Sequence, residues 1–169
     1  GMLNEHYTFG EVTLISLEYR GRTISAMVST SDLPRVSSVS GRWYALNVGG
    51  TNREELIYVG TKIGGRTVYM HTLLMMNPPR TVVDHTNHDT LDNTRDNLRV
   101  VTLAENQQNR KGEQRNNSTG YRNVVPLKNG KFRVKLQKNG TVVYLGDKFL
   151  TAEDANKAAI EARKEYFNL

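Results

Sequence analysis

The sequence predicts an α+β protein built from three parts. A small antiparallel β region fills residues 1–69, a strand–loop–strand–helix unit follows at residues 70–112, and residues 119–169 form a three-stranded antiparallel sheet packed on one helix. Three observations favour this division: short apolar runs separated by Gly-containing turns, a polar stretch at residues 113–118, and two later Asn-Gly turns. The polar stretch is therefore the predicted linker.

Composition excludes several classes of site and protein. The 169 residues include no Cys, which excludes disulfides and any zinc site with Cys ligands. No apolar run approaches the ~20 residues that a membrane span needs, and no secretory segment opens the chain. We therefore expect a cytoplasmic protein without membrane contact.

Positive charge is concentrated towards the C-terminus. Residues 116–169 carry ten Lys and Arg against five Asp and Glu, whereas residues 71–115 carry six of each and residues 1–70 carry seven against six. A basic patch confined to one module is typical of a surface that binds a polyanion such as nucleic acid. A generally solubilising surface would have the same composition, and charge alone favours neither interpretation.

The N-terminal strands are predicted from apolar runs with partial alternation. Gly-containing turns separate several of these runs, which cover residues 12–17, 23–28, 43–46, 56–59 and 67–70. A short helix is expected at residues 71–76, because Pro78 and Pro79 disfavour helical backbone just before them. This region would form a small sheet that leads into the central unit.

The central unit carries polar residues at the ends of two predicted strands. Asp84 and His85 follow the apolar run at residues 81–83, and Asn97 directly precedes the run at residues 98–101. The two runs therefore place these three side chains around one loop.

A helix is predicted to begin directly after the second strand. Thr102 and Glu105 have the spacing of a capping box, in which each side chain accepts a hydrogen bond from the other residue's backbone. Asn106 then lies in the first helical turn. Strand, loop, strand and helix in this order would bring Asn106 towards Asp84 and His85, a layout that suits phosphodiester hydrolysis around one metal ion.

These residue types fit a divalent metal and a general base. The Asp84 carboxylate and the Asn106 amide are hard oxygen ligands of the kind that Mg²⁺ and Mn²⁺ prefer. His85 suits a general base because histidine side chains titrate near neutral pH. An amide oxygen of Asn97 would hold the imidazole in the required tautomer. Two oxygen ligands make a weak site, so oxygens of the substrate would have to complete the coordination.

Each residue taken alone also has a structural interpretation. Asp-His pairs are common in loops, Asn97 fits a turn, and Asn106 fits a helix surface. His88 and His85 have the spacing of a zinc pair, but no Cys or further His lies nearby to complete a tetrahedral set. His71 fits a packed or hydrogen-bonded position better than a ligand.

The loop between the two central strands carries further carboxylates. Asp89, Asp92 and Asp96 are candidate extra ligands, but solvation of a long loop explains them more simply, with Asp92 and Asn93 in a turn. A single site is therefore favoured by the combined spacing of Asp84, His85, Asn97 and Asn106.

The C-terminal part has the pattern of a three-stranded sheet backed by a helix. The strands are predicted at residues 120–125, 132–136 and 141–145, and the two Asn-Gly pairs between them favour type I′ turns. Alternation places Arg133 and Lys135 on the face away from the helix. The helix is capped by Thr151, spans residues 152–167, and has an apolar stripe made of Ala155, Ala158, Ala159, Ala162 and Tyr166.

The central segment VDHTNHDTLDNTRDNLRVVTLAEN resembles the HNH nuclease motif, in the His-Asn-Asn form of phage-type homing endonucleases. The resemblance implies that Asp84 and Asn106 bind one divalent metal, Mg²⁺ or Mn²⁺, that His85 is the general base and that Asn97 orients this base. The preceding YMHTLLMMNPP is similar to the family's lead-in, with His71 retained and Thr72 in place of the common Arg.

The C-terminal segment, STGYRNVV followed by GKFRVKLQKNGTVVYLGDKFLTAEDANKAAIEA, resembles the plant-type apetala/ethylene-response-factor DNA-binding domain. That family reads double-stranded DNA with its sheet, which implies DNA contacts by Arg122, Arg133, Lys135 and Tyr144. The chain has YRNVV in place of the usual YRGV, and Phe132 in place of the usual Trp. These departures affect the expected sequence preference and leave the expected fold unchanged.

Together the two resemblances imply a DNA endonuclease that leaves 5′-phosphate and 3′-hydroxyl ends at a site bound by its C-terminal domain. It would use no small-molecule cofactor and would act as a monomer or homodimer in a bacterial or phage-infected cell. The main alternative is a DNA-binding protein similar to a transcription factor, with a degenerate nuclease scaffold. RNA binding is less favoured, because the strands show no pair of stacking aromatic residues.

Overall fold

The structure, a computed structural model, describes residues 1–49, 54–111 and 119–168. The chain divides into two compact units, residues 1–114 and residues 115–169. The predicted linker at residues 113–118 lies outside the described residues. Helices and small sheets occur in both units, so the structure has the mixed α+β class that the sequence predicts. None of the helices that the structure describes is long and apolar enough to cross a membrane.

The described part of unit 1 contains nine strands and three α-helices. The strands are β1 (His6–Phe9), β2 (Val12–Tyr19), β3 (Arg22–Ser29), β4 (Tyr44–Asn47), β5 (Ile57–Ile63), β6 (Arg66–Tyr69), β7 (Thr81–His85), β8 (Asp92–Asn93) and β9 (Leu98–Thr102). The helices are α1 (Leu33–Ser37), which follows a single 3-10 turn, α2 (Met70–Met75) and α3 (Leu103–Lys111).

The strands of unit 1 form three sheets, with the orders β1-β2-β3-β8, β4-β5-β6 and β7-β9. All neighbouring pairs are antiparallel except β3 and β8, where Met27 pairs with Asp92 and Val28 with Asn93. The predicted turn at Asp92 and Asn93 is therefore wrong. Both residues are buried, because the open edge of β3 supplies hydrogen-bonding partners for the loop that follows β7.

One hydrophobic core joins the sheets and helices of unit 1. Trp43 is fully buried at its centre, and its indole N–H donates to the Val36 carbonyl at 3.0 Å. Ile15 comes from β2, Met70 from α2 and Leu98 from β9. The predicted N-terminal region and the predicted central unit therefore pack around one common hydrophobic core.

Helix α2 lies close to its predicted position, and α1 was not predicted. The backbone of Met76 is left-handed, with φ of 44°, and it ends α2 two residues before Pro78. Helix α1 has only five residues, and Pro34 lies in its first turn, where a missing N–H costs nothing. A helix this short gives no recognisable periodicity in a sequence.

Unit 2 is a three-stranded antiparallel sheet packed on one helix. Its elements are β10 (Val124–Pro126), β11 (Phe132–Lys138), β12 (Thr141–Phe149) and α4 (Ala152–Phe167). The Thr151 hydroxyl accepts a hydrogen bond from the Asp154 backbone at 3.1 Å, as expected for the helix cap. The buried core combines strand and helix side chains: Val124, Val134, Leu136, Ala155, Ala159 and Ala162.

The two Asn-Gly pairs of unit 2 form different turns. Asn139 and Gly140 both have positive φ, 54° and 85°, as a type I′ turn requires. In the first pair only Gly130 has positive φ. The side chain of Asn129 instead accepts a hydrogen bond from the Lys131 backbone at 2.9 Å. The prediction of a second type I′ turn is therefore wrong.

Candidate active site

Strands β7 and β9 and helix α3 form a continuous ββα element. The register runs from Thr81 opposite Thr102 to His85 opposite Leu98. The capping box is present: the Thr102 hydroxyl accepts from the Glu105 backbone at 3.1 Å, and the Glu105 carboxylate accepts from the Thr102 backbone at 2.9 Å. These bonds hold the pKa of the Glu105 carboxyl below its usual value. The start of α3 is thus fixed directly after β9.

His85 is the last residue of β7, and its imidazole is held by Asn93. The residue is 6% exposed, and its Nε2 lies 2.8 Å from the side-chain oxygen of Asn93. An amide oxygen only accepts hydrogen bonds, so this contact places the proton on Nε2. Among the residues that the structure describes, none forms a hydrogen bond with Nδ1 of His85. Nδ1 is therefore the nitrogen available to accept a proton.

Asn97 forms no hydrogen bond with the imidazole, which corrects the expected geometry. Its side-chain oxygen accepts from the Asn87 backbone at 2.8 Å, and its amide nitrogen donates to the Asp92 carbonyl at 2.8 Å. The side chain therefore bridges the two sides of the loop. Asn93 occupies the orienting position because β8 aligns it with β3, a contact that no local pattern in the sequence indicates.

The loop that carries Asn93 is attached to the N-terminal sheet by side chains as well as by strand pairing. The Arg95 guanidinium forms two hydrogen bonds with the Asp32 carboxylate, at 2.7 and 2.9 Å. The Arg95 backbone also donates to the Ser29 hydroxyl at 2.9 Å. Such a bidentate pair fixes orientation as well as distance. The position of the imidazole thus depends on residues far away in the sequence.

Asp84 and Asn106, the two predicted metal ligands, lie on different parts of the ββα element. One oxygen of the Asp84 carboxylate, Oδ2, accepts a hydrogen bond from Arg99 Nε at 3.0 Å and forms an ion pair with Arg99 Nη2 at 2.9 Å. Within the described residues, the other oxygen, Oδ1, has no hydrogen-bond partner. Asn106 is half-buried near the start of α3. Each residue thus has an oxygen that is suited to a hard cation.

The described residues contain no group of three or more His, Asp and Glu side chains that could hold a metal ion by itself. The zinc pair of His85 and His88 therefore gains no third ligand. Asp92 is not free to be an extra ligand, because its carboxylate accepts hydrogen bonds from Thr94 and Asn87. The predicted pair of one carboxylate and one amide therefore requires substrate oxygens to complete the coordination.

His71 packs against the catalytic candidate inside an aromatic cluster. Its ring centroid lies 5.1 Å from that of His85 and 4.9 Å from that of Tyr58, both edge to face, and it stacks on Tyr69 at 5.6 Å. Burial, and to a smaller extent the neighbouring His85, lowers the pKa of the His71 imidazole to about 4. His71 is therefore neutral near pH 7, and it fits the packed position expected from the sequence.

Residues 77–108 match a family model described as HNH endonuclease. The matched segment contains Asp84, His85, Asn97 and Asn106, together with Asn93. It supports an HNH nuclease domain in this part of the chain, and therefore an enzyme that acts on DNA. No curated protein and no solved structure gives a significant match to the chain.

The four predicted DNA-contact residues of unit 2 have different environments. Arg122 is exposed and Lys135 is half-buried, whereas Arg133 is only 3% exposed. Tyr144 is half-buried opposite Leu136, and cross-strand partners share a face of the sheet. Tyr144 therefore lies on the face that packs against α4. Arg122 is therefore the most accessible of the four side chains, and Lys135 is more accessible than Arg133 on the same strand.

Replacing Asn93 with Ala should lower DNA nicking by roughly 10- to 100-fold, because residues that orient a catalytic side chain typically contribute this much. NMR of the imidazole nitrogens should show His85 protonated on Nε2 in the unmodified protein and a tautomer mixture in the variant. Asn77→Ala is the matched control, since the Asn77 amide bonds Thr81 and not the imidazole. An unchanged tautomer in Asn93→Ala would show that Asn93 does not orient His85.

Proposed function

We propose that this protein is a metal-dependent DNA endonuclease of the HNH homing type. The observation that supports this proposal most strongly is the environment of His85. Its imidazole stands at the end of β7 with Nε2 hydrogen-bonded to Asn93 and with Nδ1 unbonded among the described residues. It also lies next to Asp84 within the segment that matches the HNH endonuclease model.

In this mechanism Nδ1 of His85 accepts a proton from water, and the resulting hydroxide attacks the phosphorus of a DNA phosphodiester. The Asn93 amide oxygen stabilises the imidazolium that forms, because it already accepts the Nε2 proton. Asn97 holds the loop around the imidazole. The bond to the 3′-oxygen breaks, and the departing oxygen takes a proton from solvent water, which leaves 5′-phosphate and 3′-hydroxyl ends.

Asp84 and Asn106 would hold one Mg²⁺ or Mn²⁺ ion, with Asp84 offering its Oδ1 oxygen. When bound, the metal supplies stabilisation of the negative charge on the departing oxygen. Arg99 fixes the orientation of the Asp84 carboxylate through Oδ2. Oxygens of the DNA phosphate would have to complete the coordination, and the proposal includes no small-molecule cofactor.

We further propose that unit 2 is an apetala/ethylene-response-factor type domain that binds the double-stranded target. Unit 2 carries eleven Lys and Arg against five Asp and Glu, whereas unit 1 carries twelve of each. The sheet-on-helix architecture agrees with this proposal, and Arg122 and Lys135 would contact phosphates. Arg133 is buried and would act by positioning its neighbours. Affinity should fall steeply with salt, since each neutralised phosphate contributes about −0.9 to the slope of log K against log salt.

The proposed activity is tested by incubating supercoiled plasmid with the protein and Mg²⁺ or Mn²⁺, with and without a chelator. We expect nicked circles, and linear product if a homodimer or a second encounter cuts the other strand. Excess chelator should abolish both products and leave DNA binding intact in a gel shift. Binding without cleavage in either metal would instead support a non-catalytic DNA-binding protein.

A further inference from the structure

The sheet β4-β5-β6 of unit 1 presents one face towards the catalytic imidazole. The Tyr58 ring stacks near His85 with centroids 6.3 Å apart, and it meets the Tyr69 ring edge to face at 5.3 Å. Cross-strand pairing shows which other residues share this face: Leu46 is opposite Tyr58, Tyr44 and Tyr69 are opposite Gly60, and Thr67 is opposite Lys62. We call this set of residues the Tyr58 face.

The Tyr58 face becomes exposed with distance from His85. Tyr44 is 49% exposed, and Lys62 and Thr67 are exposed near the end of the β5–β6 hairpin. Lys62 is four positions after Tyr58, so their backbones are about 13 Å apart along the strand. Each base pair rises about 3.4 Å along the axis of the duplex, so this distance corresponds to a few base pairs. The hairpin end is closed by Gly64 and Gly65, both with positive φ, in a tight turn that keeps the two strands paired.

The charge of this segment matches a polyanion. Residues 56–83 contain Lys62, Arg66 and Arg80 and no Asp or Glu, whereas the rest of unit 1 has nine basic residues against twelve acidic ones. A hairpin without acidic residues, with Tyr58 beside the imidazole of His85, is therefore a favourable path for a phosphate backbone.

We propose that the Tyr58 face is the docking surface for the DNA strand that is cut. Lys62 contacts a phosphate a few nucleotides from the cleaved bond, and the Tyr44 hydroxyl donates to the sugar–phosphate backbone between them. The contact positions the strand at His85 independently of target binding by unit 2. This inference rests on the proposed endonuclease activity for its cleavage readout, and on DNA binding alone for its second readout.

Arg66 provides a matched control for Lys62. Both side chains are exposed near the hairpin turn and carry the same charge. Arg66 pairs with Ile63, so its side chain lies on the opposite face of the sheet from Lys62. Nearer the base of the hairpin, that opposite face is buried at Val59 and Thr61. General electrostatic attraction would therefore make the two residues equivalent, whereas strand docking on the Tyr58 face requires Lys62 alone.

The experiment compares full-length Lys62→Ala and Arg66→Ala with the unmodified protein. In chelator, fluorescence anisotropy with double-stranded DNA should show that Lys62→Ala reduces the slope of log K against log salt by about 1, and that Arg66→Ala leaves it unchanged. With metal, the single-turnover nicking rate should fall roughly tenfold for Lys62→Ala and less than about twofold for Arg66→Ala. Thermal unfolding should be unchanged in both variants.

Equal effects of the two variants in the binding assay, or no effect of Lys62→Ala, would overturn the docking proposal. Failure of the unmodified protein to nick DNA would refute the endonuclease proposal, while the anisotropy difference would still decide the role of Lys62. If the unmodified protein does not bind DNA at all, both proposals are wrong.

Discussion

Replacing His85 with Ala should lower the rate of plasmid nicking by roughly 10²–10⁴-fold, the usual contribution of a general base. The physical reason is the loss of an imidazole that is next to Asp84 in the chain and whose Nδ1 has no hydrogen-bond partner among the described residues. DNA binding in a gel shift should be retained, because His85 is a buried residue of unit 1 and the substitution leaves every Lys and Arg of the chain in place. The measurement is single-turnover nicking at saturating protein.

Two further variants separate chemistry from folding. His85→Gln keeps a side chain of similar length that can reach Asn93 but offers no base, so it should lose as much activity as Ala. His88→Asn changes an exposed histidine of the same loop, and Asn tolerates its left-handed backbone, with φ of 64°. Nicking by His88→Asn should match the unmodified protein. Full activity in His85→Gln would place the base elsewhere.

Replacing Asp84 with Ala should reduce nicking by a similarly large factor, because it removes the single carboxylate of the proposed metal site. Raising the Mg²⁺ or Mn²⁺ concentration should not restore the rate, since the remaining amide of Asn106 is a weak ligand by itself. The expected cost in folding stability is small. Asp84 pairs with an Arg99 side chain that is 50% exposed, and such pairs contribute about 1 kcal/mol or less.

Arg99→Ala is the control that distinguishes a metal ligand from an ion-pair partner. It breaks the same salt bridge and leaves the carboxylate in place. If Asp84 binds metal, Arg99→Ala should still nick DNA at high metal concentration, whereas Asp84→Ala should not. The nicking rate measured at increasing metal concentration therefore distinguishes the two variants. Identical losses in both would mean that the ion pair itself, and not metal binding, is what the reaction requires.

Much of the fold follows from local sequence patterns. The apolar runs predict β7 and β9, the capping box predicts where α3 begins, and the stripe of alanines predicts the buried side of α4. Each of these features depends on residues within a few positions of one another. Local propensity and periodicity decide such features, and a sequence displays both.

The partner of His85 could not be predicted in the same way. Asn93 lies in a polar loop, and Asp-Asn pairs there usually form turns. It contacts the imidazole because β8 pairs with β3, which lies more than sixty residues earlier in the chain. The burial of Arg133 could not be predicted either. Alternation along a strand predicts which face of the sheet a side chain lies on, but it does not predict how far other residues cover that side chain.

Because the active-site loop is attached to β3, the segment that matches the nuclease model cannot be separated from the rest of unit 1 without loss of contacts. The segment that matches the HNH endonuclease model begins at residue 77, but Arg95 is anchored by Asp32 and Asn93 by the backbone of Val28. If residues 77–108 alone were inserted into another protein, the reactive side chains would be present, but the contacts that position them would be missing. The smallest fragment that could be transferred with its active-site geometry intact is therefore the whole of unit 1, because the sheet β1-β2-β3-β8 has to accompany the motif.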